Sequence, residues 1–379
     1  MTLSIPIRLQ EARTRLGWSQ AFAGEQAGIS RQAYAAIEAG RSVPSTVVAL
    51  RLADAMGQSV EGLFRLESPR PIERVVASGG LGGPPAGRVR LARIAGREWA
   101  FLLGPACTHG ATAADGVGAR VVGGARSGMD AQPADGGRVQ VRLFADRPQE
   151  PDLVVVGCDP AFGLVAERLR RHQGFEVLWL KAGSRAALGA LARGAVHVAG
   201  THLRGRGGQG YNAPWIRRLI PFPSTRVTFA EWEQVLLLGP GNPHGIRALE
   251  ELPRSGLRFL NRGPGTGSRA LIEAELARVG IPSSTIAGFD DTAADGHEAV
   301  AASVAAGIAG AGVAIRAVGE ARGLPLIPLA REPYELVIPN HFLDLPAVEA
   351  LLAMLRTRSL RTEIEALGGY DTTRMGEPA

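Results

Sequence analysis

Three turns in this chain combine Gly, Ser or Thr with a position directly after a hydrophobic run, and those residue types could hold a small ligand. The run 153–156 ends in Gly157, Cys158, Asp159 and Pro160, and the run 175–180 ends in Lys181, Ala182, Gly183 and Ser184. The run 257–260 ends in NRGPGTGSR, residues 261–269. Helical spacing follows each turn, so backbone N–H groups and small hydroxyls gather at a helix N-terminus, where the dipole favours an anion. A Gly–Ser pair after a strand is also a plain helix cap, and a single turn leaves both readings open. Taken in order, the three could meet in one cleft beyond the carboxyl ends of parallel strands.

Catalytic chemistry is harder to assemble. His109, His172, His197, His202, His244, His297 and His341 show no HExxH or other metal-ligand spacing, so no metal or cofactor is expected. The segment GPGTGSR lacks the Lys of a phosphate-binding GxxxxGK[ST] loop. No GxSxG elbow occurs, and Cys158 has no recognisable His partner in sequence. The chain therefore reads as a binder and not as an enzyme.

The elements that must position these turns follow from periodicity. From residue 152 onward, strand runs at 153–157, 175–180, 195–200, 235–238, 257–261 and 312–315 alternate with helical patterns at 161–172, 185–192, 268–279 and 297–306. That alternation indicates a parallel sheet covered by helices. Further strands at 326–329 and 335–338 and helices at 347–356 and 360–367 complete the chain. Residues 67–150 are rich in Pro and Gly. They carry a β-hairpin at 89–94 and 98–103, weaker strands at 119–123 and 139–144, and a run at 79–87 that reads as a flexible connector. Residues 1–66 are helical in pattern.

The expected fold class is multidomain: an all-α N-terminal domain at 1–66, a small β-rich connector at 67–150, and an α/β domain at 151–379. A fragment starting near Glu150 is then expected to fold alone. Of 42 basic residues only Lys181 is Lys, and the net charge of +6 suits a polyanionic partner without demanding one. Two cysteines, Cys107 and Cys158, cannot build a disulfide framework and fit a reducing compartment. Arg8, Glu11, Arg13 and Arg15 interrupt any apolar leader, and no run is long enough to span a membrane. A soluble, cytoplasmic protein is expected.

In the N-terminal region Leu9, Ala12 and Leu16 form an apolar stripe, Gly17 ends the first helix and Ser19 caps the second. Gly28 makes a tight turn, Ile29 plugs the core and Ser30 caps a third helix. That helix buries Ala35 and Ile37 and presents Arg31, Gln32 and Tyr34. The run WSQAFAGEQAGISRQAYAAIEAGRSVPSTVVALRLADAMGQSVEGLF resembles the XRE family of phage-repressor-type helix-turn-helix domains throughout its length. The resemblance implies a recognition helix in the major groove of double-stranded DNA. It implies phosphate contact from Gln20, base or phosphate contacts from Arg31 and Gln32, a backbone contact from Tyr34 and phosphate contact from Arg41. Gln suits adenine and Arg suits guanine. Residues 1–70 hold eight Arg against six acidic residues, so a monomer is only mildly basic and a homodimer reading paired half-sites is implied. Use of the same domain for protein contacts alone is the alternative.

Residues 152–376 resemble the periplasmic-binding-protein-like (type II) domain related to molybdate-binding proteins. The resemblance rests on GCDPAFGLVAERL, AGSRAALGALARGAVHVAGTHL, LLLGPGNPHGI, LRFLNRGPGTGSRALIEAEL, GHEAVAASVAAGIAGAGVAI and ALGGYDTTRMGE. It implies two lobes, 152–232 with 325–376 and 233–324, clamping a ligand. The ligand-binding residues it implies are Cys158, Asp159, Ser184, Thr201, His202, Asn212, Arg262, Thr266, Ser268 and His297. Ser184, Thr266 and Ser268 would donate to an oxyanion such as molybdate or tungstate, and Arg262 would pair with it. Asp159 would repel an oxyanion unless paired or turned away, and the Cys158 thiol is a poorer donor than a hydroxyl. A neutral or zwitterionic metabolite, or a cofactor precursor, therefore stands beside the oxyanion. The combined expectation is a one-component transcription regulator that senses a small ligand.

Overall fold

The structure is a computed structural model that describes residues 9–64, 73–79, 81, 86–103, 112–121, 137–145, 150–205, 210–254, 256–291 and 293–379. It divides into two compact units, Met1–Pro71 and Ile72–Ala379.

The first unit is five helices: α1 (Leu9–Arg15), α2 (Gln20–Ala27), α3 (Arg31–Glu38), α4 (Thr46–Ala55) and α5 (Val60–Leu63). A serine starts each of the last four. Ser19, Ser30, Ser45 and Ser59 accept from the N–H groups of Phe22, Ala33, Val48 and Gly62 and satisfy donors that the first helical turn leaves free. Gly28 takes the left-handed conformation (φ 71°) that the turn between α2 and α3 requires. Leu9, Tyr34, Ile37, Leu52 and Leu63 fill the core. Leu16, expected on the apolar stripe, is exposed, because α1 ends before the stripe's third turn is complete.

The second unit opens with strands β1 (Glu73–Ser78), β2 (Ala86–Ile94), β3 (Arg97–Leu103), β4 (Gly116–Val121) and β5 (Arg138–Leu143), which close into a barrel in the order β1-β3-β2-β4-β5. Ala95 and Gly96 both have positive φ and form the tight turn of the β2–β3 hairpin. Val76, Val89, Leu91, Val139 and Val141 fill the interior. Inside this unit Arg90 donates to Asp115 at 2.9 Å, and Asp115 also accepts from Leu91 N–H. The expected strand at 119–123 begins earlier, at Gly116, and its last two positions lie outside the described residues, as do parts of the run 79–87 and Cys107 and His109. β1 was not foreseen.

There follow β6 (Leu153–Gly157), α6 (Phe162–Gln173), β7 (Val177–Lys181), α7 (Ser184–Ala192), β8 (Val198–Thr201), α8 (Ala213–Leu219) and β9 (Ser224–Leu238). Next come β10 (Phe259–Arg262), α9 (Gly267–Arg278), β11 (Ala293–Ala294), α10 (His297–Ala305), β12 (Ala311–Ile315) and α11 (Arg316–Glu320). The chain ends with β13 (Leu326–Pro339), α12 (Pro346–Leu355), α13 (Arg358–Glu365) and β14 (Tyr370–Asp371). One nine-stranded sheet runs β11-β10-β12-β9-β13-β8-β6-β7, with β14 on β9. Parallel strands at each end are joined by two long antiparallel strands, β9 and β13, paired from Ser224↔Pro339 to Leu237↔Leu326. β13 meets β8 at one end and β9 meets β12 at the other. The two strands thus cross from one lobe to the other, where short separate strands at 235–238, 326–329 and 335–338 were expected.

The barrel is no loose connector. Ile94, Trp99, Phe101 and Leu103 join a single core with Val154, Val156, Phe162 and Leu188 of the first lobe. Arg193 donates to the Gly79 carbonyl, and Arg93 pairs with Glu150 across the same boundary. The hairpin strands are buried on both faces, which is why alternation alone misleads about what they cover. A fragment beginning at Glu150 should therefore expose this apolar face, bind hydrophobic dye and melt less cooperatively than one beginning at Ile72. Matching melts for the two fragments would disprove the shared core.

Candidate functional site

In the first unit, Arg31, Gln32 and Ala33 form the exposed first turn of α3, and Arg41 is exposed after Gly40. Gln20 opens α2 half-buried and donates through Nε2 to Glu38 Oε2 at 2.7 Å, while Arg13 grips the other Glu38 oxygen at 2.9 Å. α2 and α3 are thereby tied at their solvent edge. Tyr34 corrects the sequence reading. It is 0% exposed, and burial, helped by Glu38, pushes its phenol up to about 12. A full-size aromatic at that position packs the helix pair together and cannot reach a DNA backbone, while Ala35 is only half-buried.

In the second unit the three turns do converge, at the ends of β6, β7 and β10, with the end of β8 and the start of α10 beside them. Cys158, Asp159, Ser184, Thr201, His202, Asn212, Arg262, Ser268 and His297 are all buried there, and Thr266 is half-buried. Most of their polar atoms are spent on the protein. Thr201 donates to Asn212, which also accepts from Leu203 N–H and donates to the Pro333 carbonyl, so Asn212 stitches its loop to β13. Thr266 caps α9, accepting from Arg269 N–H and donating to the Gly263 carbonyl. Ser184 accepts from His202 N–H at 3.2 Å. Asp159 accepts at Oδ1 from Ala161 N–H at 2.9 Å and the Tyr370 hydroxyl at 2.7 Å, while its Oδ2 has no hydrogen-bond partner, so no cation among the described residues pairs its charge. Burial raises it to about 6.

Beneath these turns runs a buried polar chain that sequence reasoning missed. Ser268 donates to Gln234 at 3.0 Å, Gln234 donates to Glu332 at 3.3 Å, and Glu332 faces His202 Nδ1 at 3.0 Å. Gln234 and Glu332 belong to the crossing strands β9 and β13, and Tyr334 on β13 accepts from Cys158 N–H at 3.1 Å. Their signal in sequence was a Glu and a Gln just before the apolar ends of two strand runs, REPYELVIP and WEQVLLL. Burial alone would lower the His202 pKa, but Cys158 and Glu332 outweigh it and raise it to about 10. His297 moves the other way, well below its usual value, through burial and the neighbouring Arg262.

Several buried polar atoms stay unsatisfied around the centre, among them Asp159 Oδ2, Glu332 Oε1 and Trp232 Nε1. Neither ring nitrogen of His297 has a hydrogen-bond partner, and neither does Arg262 Nε. Cys158, His202 and His297 place their donor atoms within 4.8 Å of one another. The lobes close over them: Lys181 pairs with Glu298 at 2.7 Å and Arg204 with Glu275 at 3.2 Å. Gly267 permits the approach, since a Cβ there would lie 2.3 Å from the His202 ring.

Comparison with known proteins agrees in outline. The PBP superfamily domain model matches residues 166–356, and a helix-turn-helix model matches residues 9–63. The uncharacterized protein YvgK of Bacillus subtilis is 26% identical over 236 residues, 62% of this chain and 75% of its own length. The HTH-type transcriptional regulator YgzD of the same organism is 43% identical over 60 residues, 16% of this chain and 91% of its own length. The periplasmic molybdate-binding protein of Azotobacter vinelandii is similar at 16% identity and a TM-score of 0.43, covering 57% of this chain and 98% of that one. Among the described residues, no helix is long and apolar enough to cross a membrane.

The contacts of His202 with Cys158 and Glu332 set a pH dependence with a definite sign. A folded pKa of about 10 against an ordinary value near 6.5 gives stability that is complete below pH 6.5 and is lost as pH rises through 10. The slope is at most about 1.4 kcal/mol per pH unit. Glu332→Gln should flatten that decline and shift the His202 imidazole resonances in an NMR titration to a lower midpoint. An unchanged midpoint would refute the pairing.

Proposed function

The chain belongs to the PBP superfamily and carries a helix-turn-helix domain, and from that premise we propose that it is a cytoplasmic one-component transcription regulator. In this reading residues 1–66 bind operator DNA, 67–150 connect, and 151–379 sense a small ligand. The observation that carries it is the coexistence, on one chain, of an exposed Arg31–Gln32 helix start and buried, unpartnered His297 and Arg262 between two lobes. Polar groups in that state are costly without a partner, and a cleft ligand would supply one. A homodimer is expected, since one weakly basic domain reads a half-site only. By linkage, ligand and DNA must change each other's affinity equally.

An oxyanion such as molybdate or tungstate is the finer reading of the ligand. Arg262 favours it, because a buried guanidinium with a free N–H suits an anion. The hydroxyls of Thr266 and Ser268 support it less, being engaged within the protein. Catalysis has no comparable support.

The test is a mobility shift with DNA upstream of the protein's own gene, at several salt concentrations and with an anion panel. Phosphate-dominated binding must weaken steeply with salt. Gln32→Ala should cost about 1–3 kcal/mol of specific binding and leave non-specific binding nearly unchanged. Equal operator affinity for parent and variant would rule out α3 as the recognition helix.

A further inference from the structure

We propose that Cys158, His202 and His297 bind a thiophilic d10 metal ion, Cu+ or Zn2+. The inference rests on the reading of the cleft as a ligand site and names the class of ligand. It was invisible in sequence, because the three residues are separated by 44 and 95 positions and come from the end of β6, the end of β8 and the start of α10.

The donor set is one thiol and two imidazoles, a combination that selects copper and zinc over hard cations. Metal–sulfur bonds near 2.3 Å and metal–nitrogen bonds near 2.0–2.1 Å require donor separations of roughly 3.3–3.7 Å. The donors already lie within 4.8 Å of each other, so about an ångström of movement closes the site. Each ligand is also prepared. His202 holds its Nδ1 against Glu332 Oε2 at 3.0 Å, the outer-shell contact that fixes a metal-binding ring and leaves Nε2 as the ligand atom. His297 is wholly buried with both nitrogens unpartnered, which is a ligand without a ligand's bond. Trp232 meets both rings edge-on, at 4.8 Å from His202 and 5.3 Å from His297, and restricts their rotation.

Charge does not separate the two ions. Binding releases both the Cys158 thiol proton and the second ring proton of His202 to solvent, leaving a thiolate and two neutral imidazoles. Cu+ on one thiolate and two neutral imidazoles carries no net charge. Zn2+ would leave one positive charge there, with the Glu332 carboxylate behind His202 to offset it. Because two ligands come from the first lobe and His297 from the second, the ion would also hold the lobes together.

The full-length protein, stripped of metal, should be titrated with Cu+ against a competing chelator, with Zn2+, and with Co2+ as a spectroscopic stand-in for Zn2+. Native mass spectrometry should find one ion per chain, and Co2+ should give a sulfur-to-metal charge-transfer band. Cys158→Ser and His297→Ala should each weaken binding by at least 100-fold and abolish that band, and Glu332→Gln should weaken it 10–100-fold. His172→Ala, at an exposed helix position, controls for adventitious histidine binding. If Cys158→Ser does not fold, the parent titration still decides, since absence of a bound Cu+ or Zn2+ ion overturns the proposal. So does metal binding that survives in His297→Ala. A thermal shift with molybdate, tungstate or phosphate but with neither metal would overturn the metal and leave the sensing cleft standing. A bound metal that leaves operator affinity unchanged would do the reverse.

Discussion

Glu332 is 1% exposed on a strand that crosses between two lobes, and a carboxylate in that position must be held by other groups. Removing a buried charge from its partner costs several kcal/mol, about 3–5 in measured cases. The geometry around it answers that demand at Oε2, while Oε1 has no hydrogen-bond partner. His202 comes from the first lobe, Gln234 from the neighbouring crossing strand, and Ser268, from the second lobe, secures Gln234. One carboxylate therefore fixes the His202 ring, the floor of the cleft and the start of α9 together. The exposed surface of β13 could vary widely without disturbing this, whereas an apolar residue at 332 would release two polar groups, His202 and Gln234, at once.

What the sequence revealed and what it hid follow from the range of the interactions involved. Serine caps, the left-handed Gly28 and the strand–turn–helix rhythm are local and were read correctly, as were the strand-end turns. The long reach of β9 and β13 was not. Their middle residues, 229–234 and 330–335, mix aromatic and charged side chains because they leave one lobe's core before entering the other's, and this breaks the periodic pattern on which strand recognition depends. The barrel was legible as hairpins but not as a partner of the first lobe, since a strand buried on both faces carries Arg90 inward against Asp115. Tyr34 was misread for a related reason. In the α2–α3 pair its helical position faces inward, and its polar tip suggested a surface role that its ring contradicts.

The cleft combines helix ends suited to one class of ligand with central side chains suited to another. A helix N-terminus with hydroxyl donors suits an anion. Here the hydroxyls of Thr266 and Ser268 are turned to structural partners, while a thiol and two imidazoles take the centre. The surrounding charges are mixed, with Lys181 and Arg262 set against Asp159, Glu298 and Glu332, so no single sign dominates. Selectivity in such a place depends on donor softness and spacing more than on field strength.

The salt bridge over the cleft has a practical side. Lys181 is the chain's one lysine, and it sits 12% exposed with its amine against Glu298 of the opposite lobe and near the Trp179 ring. Apart from the terminal amine, an amine-selective acylating reagent has a single side-chain amine to modify in this protein. That target is shielded when the lobes meet and bared when they part. The natural sequence thus contains its own footprinting probe: the rate at which one mass increment appears on one peptide would report lobe opening directly, with no engineered label.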